Sequence, residues 1–258
     1  MIQDKLFADK TGAEGYKIES VGDIIKLVVG KNKQRYFRGQ ANVSWEIRPS
    51  IGRNNFEIGG HKILTSLKKD QEEELLHRFR RHTYEHQGRI LDKWEALFLA
   101  RHHGLPVRLL DWTTNPLVAL YWASIGGHNS DGVIWVFERR KRKLKDSIDV
   151  FDKKYKNPED IKGIRIIHPF YPSKRMTAQA GIFTIHKNPA EDIAEISKTK
   201  HGNNNDILKG FKCLVPNSSK MEILRQLDRL NINERLLFPE LDGIAKGLLY
   251  TELLFGCK

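Results

Sequence analysis

Arg108-Leu-Leu-Asp-Trp-Thr-Thr-Asn-Pro-Leu-Val-Ala-Leu-Tyr-Trp-Ala123 is the stretch whose reading decides the fold. It begins in an apolar run, Val107–Leu110, that reads as a strand. It crosses a short polar turn and enters a helix. Asn115 is placed to cap that helix, and Pro116 stands at its first position, where the missing amide hydrogen costs nothing. Leu117–Ala123 fills that helix. A strand feeding a helix N-terminus presents free amides and the positive end of the helix dipole, so the turn is expected either to hold an anion or to have Asp111 and Asn115 satisfy its amides. Thr113 and Thr114 add hydroxyls, and Asp111 adds a carboxylate that can act as a base or pair with an arginine. Trp112 and Tyr121 offer rings for stacking.

Working outward, Asp92 to about His103 predicts a helix, with Gly104 as its left-handed cap and Pro106 beyond. A longer helix is expected over residues 67 to 86, with Glu72 to Glu74 near its start, where the dipole favours them. Ser20 to Asp23 caps a short helix ahead of Ile24–Val29. Arg35–Gly39 reads as a strand stopped by glycine, and Trp45–Ile47 as another, ended by Pro49. In the second half, residues 132–137, 164–167, 182–186 and 211–215 are short apolar runs between Gly, Pro and Asn, hence strands. Residues 190–206 read as a polar exposed insertion. Helices return at 218–230 and 242–254. The expected class is α+β, a mixed central sheet with packed helices, rather than a doubly wound parallel sheet. No boundary divides the chain. Residues 1–258 therefore read as a single domain with a helical N-terminal half and a strand-rich C-terminal half.

The 258 residues carry 44 Lys plus Arg against 32 Asp plus Glu, a net charge of +12. Such an excess attracts polyanions: a nucleotide cofactor, RNA or DNA. The densest cluster is Arg139, Arg140, Lys141, Arg142, Lys143 and Lys145, at the exit of the 132–137 strand, where it is either a solvated loop or a phosphate-contacting patch. No apolar run reaches the 18 or so residues of a membrane span, so no membrane partner is expected. The N-terminus lacks the pattern of a secretory signal. Cys213 and Cys257 are few and far apart. They fit a reducing cytoplasm and suggest neither a disulfide framework nor a cysteine-based metal site.

Walker, dinucleotide Gly-x-Gly-x-x-Gly, His-Glu-x-x-His and Gly-x-Ser-x-Gly patterns are missing from the sequence. Three other groups of residues remain. In Tyr36-Phe-Arg-Gly-Gln40, Arg38 at a strand end can aim its fork at a phosphate or carboxylate, with Gly39 permitting close backbone approach. Its alternative is a structural ion pair. Arg175 and Gln179 are expected at the start of the 182–186 strand. Glu240 and Asp242 precede the last helix, where capping accounts for Asp242 and leaves Glu240 the freer acid. His82 and His86 lie one helical turn apart with His77 nearby, but no carboxylate or cysteine completes a metal set, and no metal is expected.

In order, these segments resemble the FRG domain family, named for its Phe-Arg-Gly motif. The resemblance is carried by Phe37-Arg-Gly-Gln40 with Trp45 and Pro49 to Arg53, by Ala100-Arg-His-His-Gly-Leu-Pro-Val-Arg to Ala123, by Arg175, Gln179, Gly181 and Phe183, and by Leu237-Phe-Pro-Glu-Leu-Asp-Gly243. It implies a bacterial or phage-associated protein in a defence or toxin setting, with no single activity to carry over. A weaker likeness is to ADP-ribosyltransferases of the arginine type, which use an Arg-Gly strand, a Ser-Thr-Ser strand before a helix, and a Glu-x-Glu or Gln-x-Glu strand. Tyr36 to Gly39, then Thr113-Thr114 followed by Ala119, then Gln179 to Gly181 look like these three. That likeness implies an ADP-ribosyltransferase-like core and NAD as cofactor. Its binding residues would be Tyr36, Arg38, Gly39, Gln40, Trp112, Thr113, Thr114, Tyr121 and Arg175. Gly181 stands where the family has its catalytic Glu, so either the site is a binding-only version or the charge comes from Glu240 or Asp111. The catalytic candidates are Arg38, Asp111, Gln179 and Glu240.

Three functions follow as expectations. The first is binding of NAD or a nucleotide, with transfer or hydrolysis of ADP-ribose. The second is a nucleic-acid-binding effector or nuclease using the basic cluster. The third is an interaction module without catalysis.

Overall fold

The Asn115 side chain accepts a hydrogen bond from the Leu117 amide at 2.9 Å, and α5 (Pro116–Ser124) starts there. The strand before it, β6 (Leu109–Thr113), begins two residues later than the apolar run suggests and carries Asp111, Trp112 and Thr113 within it. The pairing partner explains the shift. All five residues of β6 register against β9 (Gly181–His186), and this fixes the polar Asp111 in the ladder. The computed structural model describes residues 6–8, 14–29, 34–54, 56–63, 67, 69–127, 129–139, 155, 157–168, 173–193 and 207–256.

Eight strands form one mixed sheet. They are β1 (Leu6–Ala8), β2 (Glu14–Lys17), β3 (Arg35–Gln40), β6, β7 (Gly132–Arg139), β8 (Ile164–Ile167), β9 and β10 (Ile207–Val215), in the spatial order β1-β2-β10-β7-β3-β6-β9-β8. Only the β2–β10 contact is parallel. A separate hairpin joins β4 (Phe56–Ile58) to β5 (His61–Ile63). The helices are α1 (Val21–Val28), α2 (Lys69–His82), α3 (Tyr84–Gln87), α4 (Lys93–His102), α5, α6 (Lys174–Ala178), α7 (Lys220–Arg229), α8 (Glu234–Leu237) and α9 (Leu241–Phe255). The mixed α/β class holds. Helices and strands interleave along the chain, however, and do not divide into a helical and a stranded half. Among the described residues no helix is long and apolar enough to cross a membrane.

Several local expectations change. The long helix over 67–86 is two helices, broken at Thr83 and ended at Gly88. Trp45–Ile47 forms no strand. Its backbone instead exchanges hydrogen bonds with loops, the Ile193 amide donating to the Ile47 carbonyl at 3.0 Å. Arg175 lies in α6 and Gln179 is its C-cap, two residues before β9. The 190–206 insertion lies outside the described residues from 194 onward.

Successive residues of a strand face opposite sides, and the core divides accordingly. Phe37 joins Ile134, Val136, Cys213 and Val215 under α1, α5 and α7. Tyr36 turns the other way and packs with Leu110, Trp112, Phe137, Ile166 and Ile182, with Ile47 and Ile193 laid over them. A third cluster, Trp94, Leu97, Phe98, Leu109, Phe183 and Ile185, seats α4 on β6 and β9. The buried Arg108 side chain and amide both donate to Glu72, which fastens α2 to the start of β6.

Gly39 lies inside β3 and does not stop it. A Cβ there would stand 1.9 Å from the Ala119 carbonyl oxygen and 2.7 Å from the Ala123 nitrogen. The close approach that this glycine permits is that of helix α5. Both neighbours are backbone, so no side chain can give way. Gly39→Ala is therefore expected to destabilise the fold by about 3 kcal/mol, the upper end of overpacking costs. Thermal unfolding should show it as a midpoint lowered by roughly 6–12 °C.

Candidate functional site

Strands β3 and β6 are neighbours but share one residue pair, Phe37 with Thr113, whereas β3 registers six pairs with β7 and β6 five with β9. Beyond that pair the strands diverge, and a cleft of about 750 Å³ is walled by Phe37–Ala41 on one side and by Asp111–Thr113 with Gly181–Phe183 on the other. Its size suits a ligand of nucleotide dimensions. Arg38 spans the split. Its Nη1 donates to the Asp111 carbonyl oxygen at 2.6 Å and lies 3.7 Å from the Asp111 carboxylate. The arginine thus supplies the hydrogen bond that a paired backbone amide would have given.

Arg101, in the last turn of α4, closes on the same carboxylate. Its Nε donates to both oxygens, at 3.1 and 3.2 Å, and its Nη2 donates to Oδ2. Burial alone would push the Asp111 pKa up. The Arg101 charge and hydrogen bonds, reinforced by Arg38, outweigh that and hold it down at about 2. Asp111 in turn raises the pKa of Arg101.

Two more guanidinium groups line the cleft, Arg53 and Arg175. Arg53 donates through Nε to the Arg48 carbonyl. Arg175 lies over the Phe238 ring, 4.4 Å from its centroid. Four arginines therefore surround the single carboxylate that lines the cleft. The strain of that imbalance appears in their ionisation. Burial lowers the Arg38 pKa to about 10; Asp111 opposes the drop, and Arg53 and Arg101 add to it. Arg53 is lowered by burial and then by the Arg101 charge. Arg175 is lowered by burial, against the opposing pull of Asp111 and Glu240. Arg38 Nε is buried and has no hydrogen-bond partner among the described residues.

His102 and His103 lie at the end of α4, edge to face with ring centres 5.0 Å apart, and both line the cleft. Burial, then the Arg175 charge, keep His102 below the usual imidazole range, so it is neutral at pH 7. Trp45, half exposed, and Trp122 supply flat apolar walls. Trp122 packs edge to face on Phe238, so that Trp122, Phe238 and Arg175 form one continuous stack.

The residues singled out from sequence divide accordingly. Arg38, Gly39, Gln40, Asp111, Trp112, Thr113, Arg175 and Gln179 all reach the cleft wall. Several are already committed elsewhere. Gln40 bridges the Glu46 carbonyl and the Trp135 indole. The Gln179 amide donates to the Leu237 carbonyl. The Thr113 hydroxyl donates to the Gln179 carbonyl and accepts from the Asn115 amide. Trp112 is buried with its indole N–H on Thr184, whose hydroxyl also meets the buried His186. Burial, with Arg38 adding to it, pushes that histidine down to about 3.

Tyr36 faces the opposite core. Tyr121 is buried against Glu234, 2.5 Å away, which with burial pushes the phenol pKa up. Neither ring reaches the cleft. Thr114 is exposed and away from it. Glu240 caps α9 outside the cleft wall, near enough to His102 and Arg175 to bear on their ionisation. Asp242 follows it in the first turn of α9.

The expected anion site at the start of α5 does not form. The Thr114 amide donates to the Ala180 carbonyl, the Asn115 amide to Thr113, and the Leu117 amide to Asn115, while residue 116 is proline. The turn consumes its own donors, and the positive charge comes from side chains instead. Arg53, Arg101, His102, His103, Trp45 and Trp122 carry no functional assignment in the sequence reading. The signal that could have found Arg101 is its place one turn before the Gly104 cap, where the chain reverses and runs back beside it as β6. His77, His82 and His86 are exposed on α2 and α3, and no metal-binding group gathers among the described residues. Of the basic cluster, Arg139 ends β7; Arg140, Lys141, Arg142, Lys143 and Lys145 lie outside the described residues.

Residues 33–131 match the family model of the FRG domain. The span contains Arg38, Trp45, Arg53, Arg101 and Asp111. The far rim, Arg175 and Gln179 with Phe238 behind them, comes from chain beyond it. No curated protein and no solved structure matches the chain.

The Asp111 carboxyl sits lower in the folded protein than its ordinary 3.8. A depressed pKa stabilises the fold above the unfolded value, and that contribution is lost as pH falls through the folded one. Asp111→Asn should therefore unfold at lower temperature than the parent at pH 7. The gap between the two midpoints should close between about pH 4 and pH 2. A gap that stays constant over that range would show that Asp111 is not held by its arginines.

Proposed function

We propose that the cleft binds a phosphate-bearing nucleotide, and that NAD or a close relative is the class of ligand. The observation that carries the reading is the set of four guanidinium groups, Arg38, Arg53, Arg101 and Arg175, gathered in one cavity around one carboxylate. A guanidinium is a planar fork suited to phosphate oxygens, and a buried positive excess is relieved by an anion of two or more charges. A diphosphate meets that need. Trp45 and Trp122 offer faces to the ring that a nucleotide also carries. NAD in particular is favoured by the order of the Arg-Gly strand, the Thr113-Thr114 segment and the Gln179-x-Gly181 segment.

The chemistry of such a ligand is loss of nicotinamide with its bonding electron pair, which leaves positive charge on the ribose. Water or an acceptor hydroxyl then bonds to the ribose carbon and gives up a proton. A carboxylate facing the ribose lowers the barrier. Asp111 is ionised but already held by Arg101 and Arg38, and Gly181 offers no side chain. Glu240, outside the cleft wall but near enough to bear on the ionisation of Arg175 and His102, is the acid left for that role. In this reading binding is the primary property, and transfer or hydrolysis of ADP-ribose rests on Glu240.

Calorimetry with NAD, ADP-ribose and inorganic pyrophosphate tests the binding. Arg53→Gln and Arg175→Gln are each expected to weaken ADP-ribose by roughly 10- to 100-fold, the worth of a hydrogen bond to a charged group. No heat at millimolar ADP-ribose with folded protein would remove the proposal. Release of nicotinamide that vanishes in Glu240→Gln, with ADP-ribose affinity unchanged, would establish the transfer step. Binding without release would leave a nucleotide-binding domain.

A further inference from the structure

Helix α9 is built inside out. Gly243 and Gly247 are its buried positions, while Leu241, Ile244, Leu248, Leu249, Leu253 and Phe255 stand between 36 and 83% exposed. The inward glycines are forced by the backbone. A Cβ on Gly243 would lie 2.1 Å from the Phe238 carbonyl oxygen, and one on Gly247 would lie 2.8 Å from the Arg235 nitrogen. The helix docks so closely on α8 that its large apolar side chains are left on the outside. Leu254 alone of its leucines packs against the core. Leu241, Ile244, Leu248 and Phe255 follow helical spacing along one side, with Leu249 and Leu253 on the flank. From their fractional exposures, these six side chains present on the order of 500–600 Å² of apolar surface, the top of the range for the largest patch on a monomer.

We propose that this face pairs with the same face of a second copy of the chain, through an isologous antiparallel helix contact centred on Leu248. Three features favour a like partner. First, a row of leucines on a helix is complementary to itself, its ridges fitting the grooves of an identical row. A two-fold axis at Leu248 sets Leu241 of each copy against Phe255 of the other. Second, the area suffices. Two such faces bury roughly 1,000–1,200 Å² of apolar surface before any rim contact is added, which reaches the threshold for a specific dimer. Third, the charges allow it. A chain of net charge +12 repels its own kind, but α9 carries only Asp242, Lys246 and Glu252, and Lys246 is paired with Glu234 at 3.0 Å. The seam is thus an apolar stretch on which a basic protein can approach its copy with few opposing cations, Arg229 over the Phe255 ring bordering it among the described residues.

Sedimentation equilibrium of the full chain between 1 and 100 µM tests the proposal. A monomer–dimer equilibrium is expected that tightens from 0.05 to 0.5 M NaCl, because salt screens the residual repulsion over a Debye length that shrinks from about 14 to about 4 Å. Leu248→Glu should weaken the dimer by at least about 100-fold, since it places two carboxylates in the seam. Leu241→Glu, at the most exposed position, cannot disturb the core and should weaken it by about 10-fold. Circular dichroism confirms that both variants fold. A chain monomeric at 100 µM at both salt concentrations overturns the proposal, as does a dimer indifferent to both substitutions. Equally, a monomer that co-sediments with lipid vesicles through Leu241 and Leu248 would assign the face to a membrane surface and overturn it.

Discussion

The guanidinium of Arg38 stands where the sheet comes apart. Strands β3 and β6 hold together through one residue pair, and past it, among the described residues, this side chain bridges the gap, donating to the Asp111 carbonyl and facing the Asp111 carboxylate. A split in a sheet exposes backbone donors and acceptors that must find partners. Here the partner is a charged side chain, so the repair of the split also charges the cleft that the split creates. Arg101 then fixes the carboxylate from α4, and Glu72 fixes α2 to the amide and side chain of Arg108 at the start of the same strand. One strand, β6, receives both salt bridges, and the geometry of the cleft is inherited from it. Removing one member of such a group leaves its partner charged and unmatched, which costs more than the pair is worth.

The arginines exceed what structure requires. Asp111 takes hydrogen bonds from Arg101 Nε and Nη2 and faces Arg38, while Arg53 and Arg175 reach the cleft with no ion pair to a carboxylate among the described residues. Three of the four are pushed below the ordinary arginine pKa by burial. The sign of those shifts matters more than their size, because a group lowered in this way gains when an anion arrives. The protein without ligand therefore carries unfavourable charge concentrated in one cavity. By linkage, an anion that bound only the folded protein would raise its stability by RT ln(1 + c/Kd), c being its free concentration.

Much of the fold was legible in local chemistry. Asp92 and Asn115 cap helices where capping residues are expected, Gly104 ends α4 in the left-handed region, and the short apolar runs of the second half are strands. These signals are short-ranged, so a sequence displays them directly. The errors are long-ranged. Val107–Leu110 looks like a strand from its own residues, but β9 sets the register and moves it to Leu109–Thr113. Gly39 looks like a ligand-approach glycine, but its neighbour in space is α5, eighty residues on. Tyr121 reads as a stacking ring and Tyr36 as a binding residue; which side of a strand or helix meets the cleft is decided by packing, and both meet the core. Arg38 and Asp111 meet in the cleft. Arg53 and Arg101 stood inside the resembling segments but received no role, because an arginine in a chain with 44 basic residues carries no mark of its destination.

Two seams of close backbone contact frame the cleft. In one, Gly39 and Gly132 meet Ala119 and Ala123, so that β3 and β7 lie against α5 with no side chain between them. In the other, Gly243 and Gly247 press α9 onto the α8 segment, which holds the Leu237 carbonyl for Gln179 and the Phe238 ring for Arg175 and Trp122. A wall lined with like charges tends to open, and a wall held by side chains alone can repack to let it. Backbone against backbone cannot repack, because any relaxation requires moving a whole helix. The glycines at these seams are therefore as much a part of the site as the arginines that face into it. They leave mutually repelling guanidinium groups no route apart, and the imbalance stays where an anion can relieve it.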